Sequence, residues 1–424
     1  MIWQLLYNTI FVPLGWLGFQ LLGLFNKKAR IGIRGRIDLF SRLERDLARL
    51  DKNSARIWFH SASLGEFEQA KPIIAEIKRR YPATNIIVSF FSPSGYEHSL
   101  AYGLASVITY IPFDSRSNAE RFVETVRPTA AIAVRYDVWP NHLWALKRRG
   151  IPAFIANATL RPNALRDLPI IRQFHRKLYN SLDFILTVSE EDKKVFASYD
   201  LEHPVVEVMG DTRYDQVWRR SAESKTKHIL PEPILAGKKI LILGSSWTSD
   251  EEVVLPACYR LREAHPELLV VLVPHEPTLA NLEQVEHRIG ENMSVIRFSN
   301  LHDYRDEAAI LVDSVGILMP LYRYAHVAYV GGSFGAGIHN VLEPAAYGLP
   351  VVMGPRHQNS QEAVRLLREG GAFTGYGTAE IFAHLNRLFG SEKDRTAAGA
   401  VALHLVKTNV GATDRFLATM ENVL

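Results

Sequence analysis

The segment Gly331-Gly332-Ser333-Phe334-Gly335-Ala336-Gly337-Ile338-His339-Asn340 follows a short apolar, β-branched run and precedes Val341-Leu342-Glu343-Pro344. A strand, a glycine-rich turn and a helix in this order are typical of a parallel α/β domain. Glycines let the backbone approach a ligand closely, and the free N–H groups at a helix start favour a phosphate. The segment is not a Walker loop, because it lacks Gly-Lys-Ser/Thr. A glycine turn with an ordinary helix cap is the alternative interpretation.

Two polar residues at the end of this segment each suit a recognisable role. Asn340 is a candidate helix cap, and Glu343 follows three residues later, as in a capping box. Glu343 equally suits hydrogen bonds from a ribose hydroxyl pair, a role that acidic residues have in dinucleotide-binding folds. The local sequence leaves these two roles of Glu343 open.

The alternation of short apolar runs with amphipathic helical stretches continues in both directions from this segment. It predicts strands at 56–60, 85–91, 107–111, 130–134, 153–156, 184–188 and 205–209, and again at 239–243, 268–273, 295–298, 310–312, 328–330 and 350–353. A charged, poorly patterned stretch, 214–238, separates the two sets and is predicted to connect two domains. We therefore expect an α/β protein of two Rossmann-like, doubly wound domains that face a cleft, with ligands beyond the carboxyl ends of the strands.

Length and composition agree with two globular domains. The 424 residues are 47% hydrophobic and 22% charged, which excludes a disordered chain. The net charge of +4 is too small to indicate a nucleic-acid partner, but it suits anionic ligands or a membrane surface. The single cysteine, Cys258, excludes an intramolecular disulfide and a cysteine-based metal cluster.

The first 25 residues contain no charged side chain and are rich in aromatic residues, and a basic stretch, 27–36, follows them. A cleavable signal peptide would carry its positive charge before the apolar run instead. The positive-inside rule places the rest of the chain on the cytoplasmic side of the membrane. Because polar residues interrupt the run, it either spans the membrane or lies in its interface. A buried amphipathic core helix is the alternative.

Further candidate site residues lie just after predicted strands. Glu66, near the start of a helix, suits a catalytic base, although an ordinary helix-start glutamate is an alternative. Arg135 and Asp137 suit an anion and an acceptor, or form a structural ion pair with each other. Arg213 suits a phosphate or a sugar carboxylate, or is a solvated linker residue. His275, with Glu276, suits a nucleotide, but a lone histidine is more often structural.

Taken together, these segments resemble the 3-deoxy-D-manno-octulosonic acid (Kdo) transferases. The resemblance covers nearly the whole chain, and its most specific part is the long segment 331–359. It is carried by Ser63-Leu64-Gly65-Glu66, Trp139-Pro140-Asn141, Ile155-Ala156-Asn157-Ala158, Val330-Gly331-Gly332-Ser333, His339-Asn340-Val341-Leu342-Glu343-Pro344-Ala345-Ala346, and Met353-Gly354-Pro355 followed by Asn359.

The resemblance implies the glycosyltransferase B fold, an acceptor-binding first domain and a donor-binding second domain. The domains expected are a membrane-anchoring segment at 1–30, the acceptor domain at 31–213, the connection at 214–238, the donor domain at 239–401, and a C-terminal helix at 402–424 that crosses back to the first domain. It implies that Glu66 is the catalytic base and that Arg213 stands where a lysine stabilises the transition state. The implied donor contacts are His275, Glu276, Val315, Gly316, Ile317, Gly332, Ser333, Asn340, Val341, Leu342 and Glu343.

Several positions depart from the family pattern. Arg135 replaces a glutamate, which reverses the charge, whereas Asp137 keeps the second carboxylate of that motif with a shorter side chain. Trp247 replaces a histidine, Ile317 a glutamate, Thr159 an arginine and Ile338 a glycine. The departures leave the predicted fold unchanged and bear on the site residues alone.

The resemblance and the site residues together predict an inverting, metal-independent transfer of Kdo from CMP-Kdo to a lipid A precursor at the cytoplasmic face of the cell inner membrane. No cofactor and no nucleic-acid partner are expected, and the partners are CMP-Kdo, the glycolipid acceptor and the membrane surface. The alternatives are a related transferase that uses another nucleotide sugar, and an inactive membrane-tethered scaffold, for which the replacement at Arg135 is the main argument.

Overall fold

The computed structural model describes residues 2–160 and 168–421 of the chain. Two compact units are present: the first contains Met1–Gln216 and Val410–Leu424, and the second contains Val217–Asn409. Each unit is built around one seven-stranded sheet, and the strands of each sheet pair in parallel. Met1 and the last three residues of the predicted C-terminal helix lie outside the described residues.

The first unit alternates strands and helices after an entirely helical N-terminal region. Its elements are α1 (Ile2–Leu6), a π-helical turn (Tyr7–Phe11), α2 (Val12–Phe25), α3 (Lys27–Gly35), α4 (Leu39–Leu47), β1 (Arg56–Ser61), α5 (Leu64–Arg80), β2 (Asn85–Phe90), α6 (Pro93–Ser99), β3 (Val107–Tyr110), α7 (Arg116–Val126), β4 (Ala130–Val134), α8 (Pro140–Arg148), β5 (Ala153–Ala158), α9 (Pro169–Tyr179), β6 (Phe184–Thr187), α10 (Glu190–Ala197) and β7 (Val205–Val208).

The strand order of the first sheet is β3-β2-β1-β4-β5-β6-β7. The chain builds outward from β1 to β3 and then returns to add β4 on the other side of β1, where His60 pairs with Ala133. Apolar side chains cover both faces of the sheet: Phe122 of α7 packs on one face, and Phe67 of α5 packs on the other. The order therefore reverses between β1 and β4, which is where doubly wound sheets leave a crevice for ligands.

The second unit repeats this architecture. It contains α12 (Glu232–Leu235), β8 (Lys239–Ser246), α13 (Thr248–Ala264), β9 (Leu268–Pro274), α14 (Leu279–Gly290), β10 (Val295–Arg297), β11 (Ala309–Leu311), α15 (Leu318–Leu321), β12 (Val327–Val330), α16 (Leu342–Ala345), β13 (Val351–Met353), α17 (Gln361–Glu369), β14 (Ala372–Thr374), α18 (Thr378–Gly390) and α19 (Glu392–Asn409), with 3-10 turns at Phe298–Asp303 and Tyr322–Tyr324. The strand order is β10-β11-β9-β8-β12-β13-β14, so the order reverses between β8 and β12.

The region between the sheets differs from the predicted connection. Helix α11 (Thr212–Ser224) begins in the first unit and ends in the second, and it occupies nearly half of the stretch 214–238. Helix α19 belongs to the second unit up to Asn409, so the segment that joins the first unit begins at Val410 rather than at residue 402. The proposed functional identities of these domains stay predictions.

The C-terminal helix Ala412–Met420 packs into the core of the first unit. Its Phe416 is fully buried and lies 6.0 Å from Phe154 of β5, measured between ring centroids. The Asp215 carboxylate accepts hydrogen bonds from the N–H groups of Gly411 and Thr413, both at 2.6 Å. Because Asp215 satisfies two backbone donors at the start of the helix, it fixes where that helix begins.

The N-terminal helices lie along the first unit. The Trp3 ring contacts Phe174 at 6.0 Å between centroids, and Phe19 contacts Phe91 at 5.6 Å. The continuous helical stretch Ile2–Phe25 is long and apolar enough to cross a membrane by length and composition. Its outward side carries exposed apolar side chains at helical spacing: Ile10, Leu14, Leu17, Leu21 and Leu24.

We predict that Gly399→Ala destabilises the protein by about 1–3 kcal/mol, the cost of overpacking a filled site. A Cβ at position 399 would overlap the carbonyl oxygen of Gly348, so the backbone of α19 would have to move. Gly390→Ala is the matched control, since its added Cβ meets no atom closer than 4.0 Å. Urea denaturation checks the pair, and equal midpoints for the two variants would contradict the proposed close contact.

Candidate active site

Glu66 lies at the third position of α5, where the reversal of strand order opens the first sheet. Its Oε2 accepts a hydrogen bond from the Ser63 N–H at 2.9 Å and completes a capping box with Ser63. The side chain is buried, with 6% of the residue exposed. Burial raises the pKa of the Glu66 carboxyl above its ordinary value, and the negative charge of Asp137 raises it further, while hydrogen bonds from Ser63 partly oppose this.

Both interpretations of Glu66 thus have a structural counterpart. The helix-start role is present, because the carboxylate satisfies a backbone donor that the helix leaves without a partner. The raised pKa is the property that a general base working near neutral pH requires. The catalytic assignment itself stays a prediction.

Asp137 pairs with His60, a residue for which no role was predicted. His60 Nε2 lies 2.9 Å from Asp137 Oδ2, and His60 Nδ1 lies 2.9 Å from Ser89 Oγ. The Trp58 indole N–H donates to the same Ser89 oxygen at 2.8 Å. The His60 ring therefore bridges Ser89 of β2 and Asp137 beyond β4, and its tautomer sets which ring nitrogen donates.

Trp139 adds an N–H donor to this carboxylate. Its indole nitrogen lies 3.3 Å from Asp137 Oδ2 and 3.0 Å from His60 Nε2. The Trp139 N–H thus contacts both the His60 ring nitrogen and the Asp137 carboxylate. The position of Asp137 is thus fixed by His60 of β1 and by Trp139, which precedes α8. The only feature of the sequence that could have indicated a role for His60 is its place at the end of a strand.

Arg135 follows β4 in a left-handed conformation, with φ of 66°. Its N–H donates to the Ala156 carbonyl of β5 at 2.8 Å, and its buried Nε has no hydrogen-bond partner. The guanidinium carbon lies 5.8 Å from the ring centroid of Tyr136. Within residues 2–160 and 168–421, Asp137 forms its ion pair with His60 and none with Arg135, so the structural pair suggested as an alternative is wrong.

Arg213 lies at the start of the helix Thr212–Ser224, beyond the end of β7. Its Nε and Nη2 donate to Asp211 Oδ2 at 2.9 and 2.6 Å, and Asp211 is 4% exposed. The preceding Thr212 donates through its hydroxyl to the Gln69 carbonyl of α5 at 2.7 Å, while its N–H donates to Asn157 Oδ1 at 2.9 Å. Arg213 is therefore held by its own turn and is not a freely solvated linker residue.

In the second unit, the buried carboxylate of Asp250 holds the glycine segment in place. Asp250 Oδ2 accepts from the Gly332 N–H at 2.7 Å and from the Trp247 N–H at 3.1 Å. Its Oδ1 accepts from the Tyr329 hydroxyl at 2.9 Å and from the Phe334 N–H at 3.3 Å. The sequence analysis missed this residue, because its partners in the glycine segment are 82 and 84 positions away along the chain.

Most backbone donors of the glycine segment are engaged within the protein. Hydrogen bonds to protein acceptors are made by the N–H groups of Gly331, Gly332, Phe334, Gly335, Gly337, Ile338 and His339. The fully buried Ser333 accepts the Gly354 N–H on its hydroxyl at 2.7 Å. A phosphate held here would have to use the remaining amides, so the backbone cradle stays a prediction and has fewer donors than the glycine pattern indicates.

The predicted capping box at Asn340 differs from the structure. Asn340 Oδ1 accepts the Leu342 N–H at 3.1 Å, two residues on, and Asn340 Nδ2 donates to Glu343 Oε1 at 3.3 Å. Helix α16 spans only Leu342–Ala345 and has Val341 at its N-cap position. Burial raises the pKa of Glu343, with partial opposition from Arg220 and Asn340. Val341 and Leu342 are buried, so their side chains contribute to the core.

Aromatic rings stack beside the glycine segment. The His275 and His339 rings lie 4.3 Å apart between centroids, and Trp247 lies 4.6 Å from His275. The Trp247 indole N–H donates to His339 Nε2 at 2.8 Å. Burial and then His275 lower the pKa of His339, which favours its neutral form. His275 thus contacts two aromatic rings, which is compatible with either of its two proposed roles.

The remaining predicted donor contacts lie on exposed loops. Glu276 is exposed after β9, and its carbonyl accepts the Thr278 N–H at 2.9 Å. Val315 is 79% exposed, and Gly316 has a φ of 78°, so this turn requires a residue that tolerates the left-handed conformation. Ile317 is half-buried and precedes α15. The described residues contain no group of three or more metal-ligating side chains.

Glu66, Asp137 and the glycine segment thus follow the strands at which the order of their own sheet reverses, whereas Arg213 follows the edge strand β7. Two doubly wound, parallel units of this kind define the glycosyltransferase B type of fold. A UDP-GlcNAc 2-epimerase from Neisseria meningitidis, in complex with UDP-GlcNAc, has a similar fold, with a TM-score of 0.60 and 15% identity over 87% of this chain and all of that one.

Sequence comparison agrees with this class of fold. A model of the 3-deoxy-D-manno-octulosonic acid transferases matches residues 37–216. A 3-deoxy-D-manno-octulosonic acid transferase of Haemophilus influenzae is 28% identical and covers 87% of both chains, and one of Chlamydophila psittaci is 29% identical over 82% of this chain and 81% of its own. The chain is thus similar to the Kdo transferases, which are glycosyltransferases, over most of its length.

We predict that Asp137→Asn lowers the pKa of Glu66, because the substitution removes a negative charge that raises it. If Glu66 is the base, its active carboxylate form then persists to lower pH, and the acid limb of kcat/KM for sugar transfer moves to lower pH. Glu68→Gln removes another carboxylate from α5 and serves as the control, with an unmoved acid limb. A limb that stays in place or rises in Asp137→Asn would contradict the coupling of the two carboxylates.

Proposed function

We propose that this glycosyltransferase moves Kdo from CMP-Kdo to a glycolipid precursor of lipid A, and that Glu66 is its catalytic base. Similarity to the Kdo transferases over most of the chain supports the choice of donor sugar and acceptor class. The observation that carries the catalytic assignment is a buried carboxylate with a raised pKa, next to a second carboxylate, where the first sheet reverses its strand order.

In the proposed reaction, Glu66 accepts the proton of an acceptor hydroxyl as its oxygen attacks the anomeric carbon of Kdo. The new C–O bond forms as the bond from that carbon to the CMP phosphate breaks, and CMP leaves with the bonding electron pair. Attack on the face opposite the leaving group inverts the configuration. Because burial raises the pKa of Glu66, the residue is a stronger base than a solvated glutamate would be.

Asp137 acts on this step through its charge and through its fixed position. Its carboxylate favours protonation of Glu66, which is the change that Glu66 undergoes during transfer. The same negative charge offsets positive charge that develops on the sugar ring in an oxocarbenium-like transition state. His60 and Trp139 hold the carboxylate, so its position requires no reorganisation during the reaction.

Two arginines are proposed to balance the negative charge of the donor. Arg135 has a buried Nε without a hydrogen-bond partner, so an anionic group near it would gain a charge-assisted hydrogen bond. Arg213 is already paired with Asp211. The Asp211 carboxylate offsets part of the positive charge and fixes the direction of the guanidinium. We assign the Kdo carboxylate and the departing phosphate to these two cations.

The second unit is proposed to bind the CMP portion of the donor. Asn340 is exposed, and the Glu343 carboxylate, with its raised pKa, suits hydrogen bonds from the ribose hydroxyls. The exposed turn Val315-Gly316-Ile317 and the residues His275 and Glu276 are the other proposed donor contacts. Gly332 and Ser333 would support the site from beneath, because both are buried.

The N-terminal helices are proposed to lie in the membrane interface at the cytoplasmic face of the cell inner membrane. Contacts with the first unit extend from Trp3 to Phe19, so this side of the helix faces protein and not lipid. The outward side presents apolar residues, and Lys27, Lys28 and Arg34 are exposed just after it, where they suit anionic lipid headgroups. Such an arrangement favours an in-plane anchor over a membrane-spanning helix.

The test of the reaction is Glu66→Gln, incubated with CMP-Kdo and a tetraacylated lipid A precursor and followed by mass analysis of the lipid. We expect transfer to fall by about 10²–10⁴-fold, the range for loss of a general base. The glutamine can still accept the Ser63 N–H, so the fold and CMP binding are expected to persist. Wild-type turnover in this variant would refute the base assignment, and transfer from UDP-sugars in place of CMP-Kdo would refute the donor.

The test of the membrane anchor is the double substitution Leu14→Asn and Leu24→Asn, two leucines that are each 63% exposed on the outward side. Flotation with anionic phospholipid vesicles is expected to weaken by at least about tenfold, because burying a leucine in apolar surroundings stabilises by about 1.5–3 kcal/mol. Leu279→Asn changes a leucine with 65% exposure in the second unit and is expected to leave flotation unaltered. Equal flotation of all three proteins would exclude the anchor.

A further inference from the structure

We propose that Tyr7 and Asn8 of the N-terminal helical region are positioning residues for the active site of the first unit, and that they act through Asp114 and Asn141. The expected effect on the rate of Kdo transfer rests on the proposed function, whereas the expected effect on the order of segment 135–142 does not. The N-terminal region thereby has a second task besides contact with the membrane.

The buried carboxylate of Asp114 joins the N-terminal region to the start of α8. The Tyr7 hydroxyl donates to Asp114 Oδ2 at 2.9 Å, and the Asn141 N–H donates to the same oxygen at 3.0 Å. Asp114 Oδ1 lies 2.6 Å from His142 Nδ1 and accepts the His142 N–H at 3.2 Å. Asp114 is only 1% exposed, so each lost donor would leave part of a buried charge unsatisfied.

Asn8 makes a reciprocal pair with Asn141. The Asn8 Nδ2 donates to Asn141 Oδ1 at 3.0 Å, and the Asn141 Nδ2 donates to Asn8 Oδ1 at 2.9 Å. Asn141 Nδ2 also donates to the Asp114 carbonyl at 2.6 Å. Asn141 is 1% exposed, and its side-chain hydrogen bonds therefore depend on Asn8 and Asp114 together.

These contacts hold one end of a short segment that also carries Asp137, the carboxylate that supports Glu66 in the proposed function. Asn141 lies four residues after Asp137 and two after Trp139, with Pro140 between them. Asp137 and Trp139 make their hydrogen bonds with His60 at the end of β1. Segment 135–142 is thus fixed at one end by β1 and at the other by the N-terminal region, and a shift at Asn141 passes to Asp137 through few rotatable bonds.

The local helix geometry fits this task. Tyr7 begins a π-helical turn, Tyr7–Phe11, and such turns within α-helices are frequent at functional sites. The aromatic ring of Tyr7 packs edge-on against Trp144 of α8, at 5.7 Å between centroids. In contrast, Thr9 of the same turn is exposed and donates its hydroxyl only to the Leu5 carbonyl of its own helix.

The experiment compares the full-length wild type with Tyr7→Phe/Asn8→Ala and with the matched control Thr9→Ala. The first readout is amide hydrogen exchange of segment 135–142, which requires no substrate. We expect faster exchange of this segment in the double variant, with the β1–α5 region and the second unit unchanged. Thr9→Ala is expected to exchange like the wild type, since its lost hydrogen bond lies within the helix.

The second readout is transfer of Kdo from CMP-Kdo to the tetraacylated precursor dispersed in nonionic detergent, where no bilayer is needed. We expect the double variant to lower kcat by about tenfold, which a barrier increase of about 1.4 kcal/mol produces, with the KM for CMP-Kdo unchanged. A structural defect alone would lower the amount of folded enzyme but not the kcat per folded molecule. Titration with CMP gives the concentration of folded enzyme to which the kcat is referred.

Unchanged exchange of segment 135–142 in the double variant, or a kcat equal to that of Thr9→Ala, would overturn the inference. A wild-type enzyme that transfers no Kdo would refute the proposed function instead, and the exchange data would still decide whether the N-terminal region orders the segment. The two failures are therefore distinguishable.

Discussion

An acidic residue at the third position of the helix that follows the first strand organises each unit. Glu66 accepts the N–H of Ser63, and Asp250 accepts the N–H of Trp247, three residues earlier in both cases. Each carboxylate satisfies a donor that the helix start leaves without a partner, and each lies where the strand order of its sheet reverses. The same local interaction thus brings a carboxylate to the point of both sheets where the strand order reverses.

The two carboxylates differ in what else they contact. Asp250 uses both oxygens for protein donors, among them the N–H groups of Gly332 and Phe334, and so shapes the glycine segment. Glu66 is held through its Oε2, and burial together with Asp137 raises its pKa. Both oxygens of Asp250 are engaged by protein donors, whereas Glu66 keeps the raised pKa that a general base requires. The two residues nevertheless occupy equivalent positions on their helices.

The sequence predicted the sheets well, because strands buried on both faces are continuous apolar runs that need no alternating pattern. The predicted strands at 130–134 and 328–330 lie within one residue of β4 and β12. The helix Thr212–Ser224 was not predicted, since it is polar and is fixed by contacts from distant residues, such as that of Thr212 with Gln69. Glu66 was proposed from its position after a strand, whereas His60 and Asp250 were missed because their contacts with Asp137 and Tyr329 span 77 and 79 residues.

The charge reversal at Arg135 is compatible with a working base. Burial is the largest cause of the raised pKa of Glu66, and Asp137 adds to it from a position fixed by His60. The pKa of Glu66 therefore does not require a second neighbouring carboxylate at position 135. Because the Arg135 N–H bonds to β5 and its left-handed backbone leaves Nε buried without a partner, the residue keeps a cation beside this edge of the sheet. In the proposed function, a donor sugar that carries its own carboxylate would supply the anion that such a cation lacks, and the replacement would shift charge balance from the protein to the substrate.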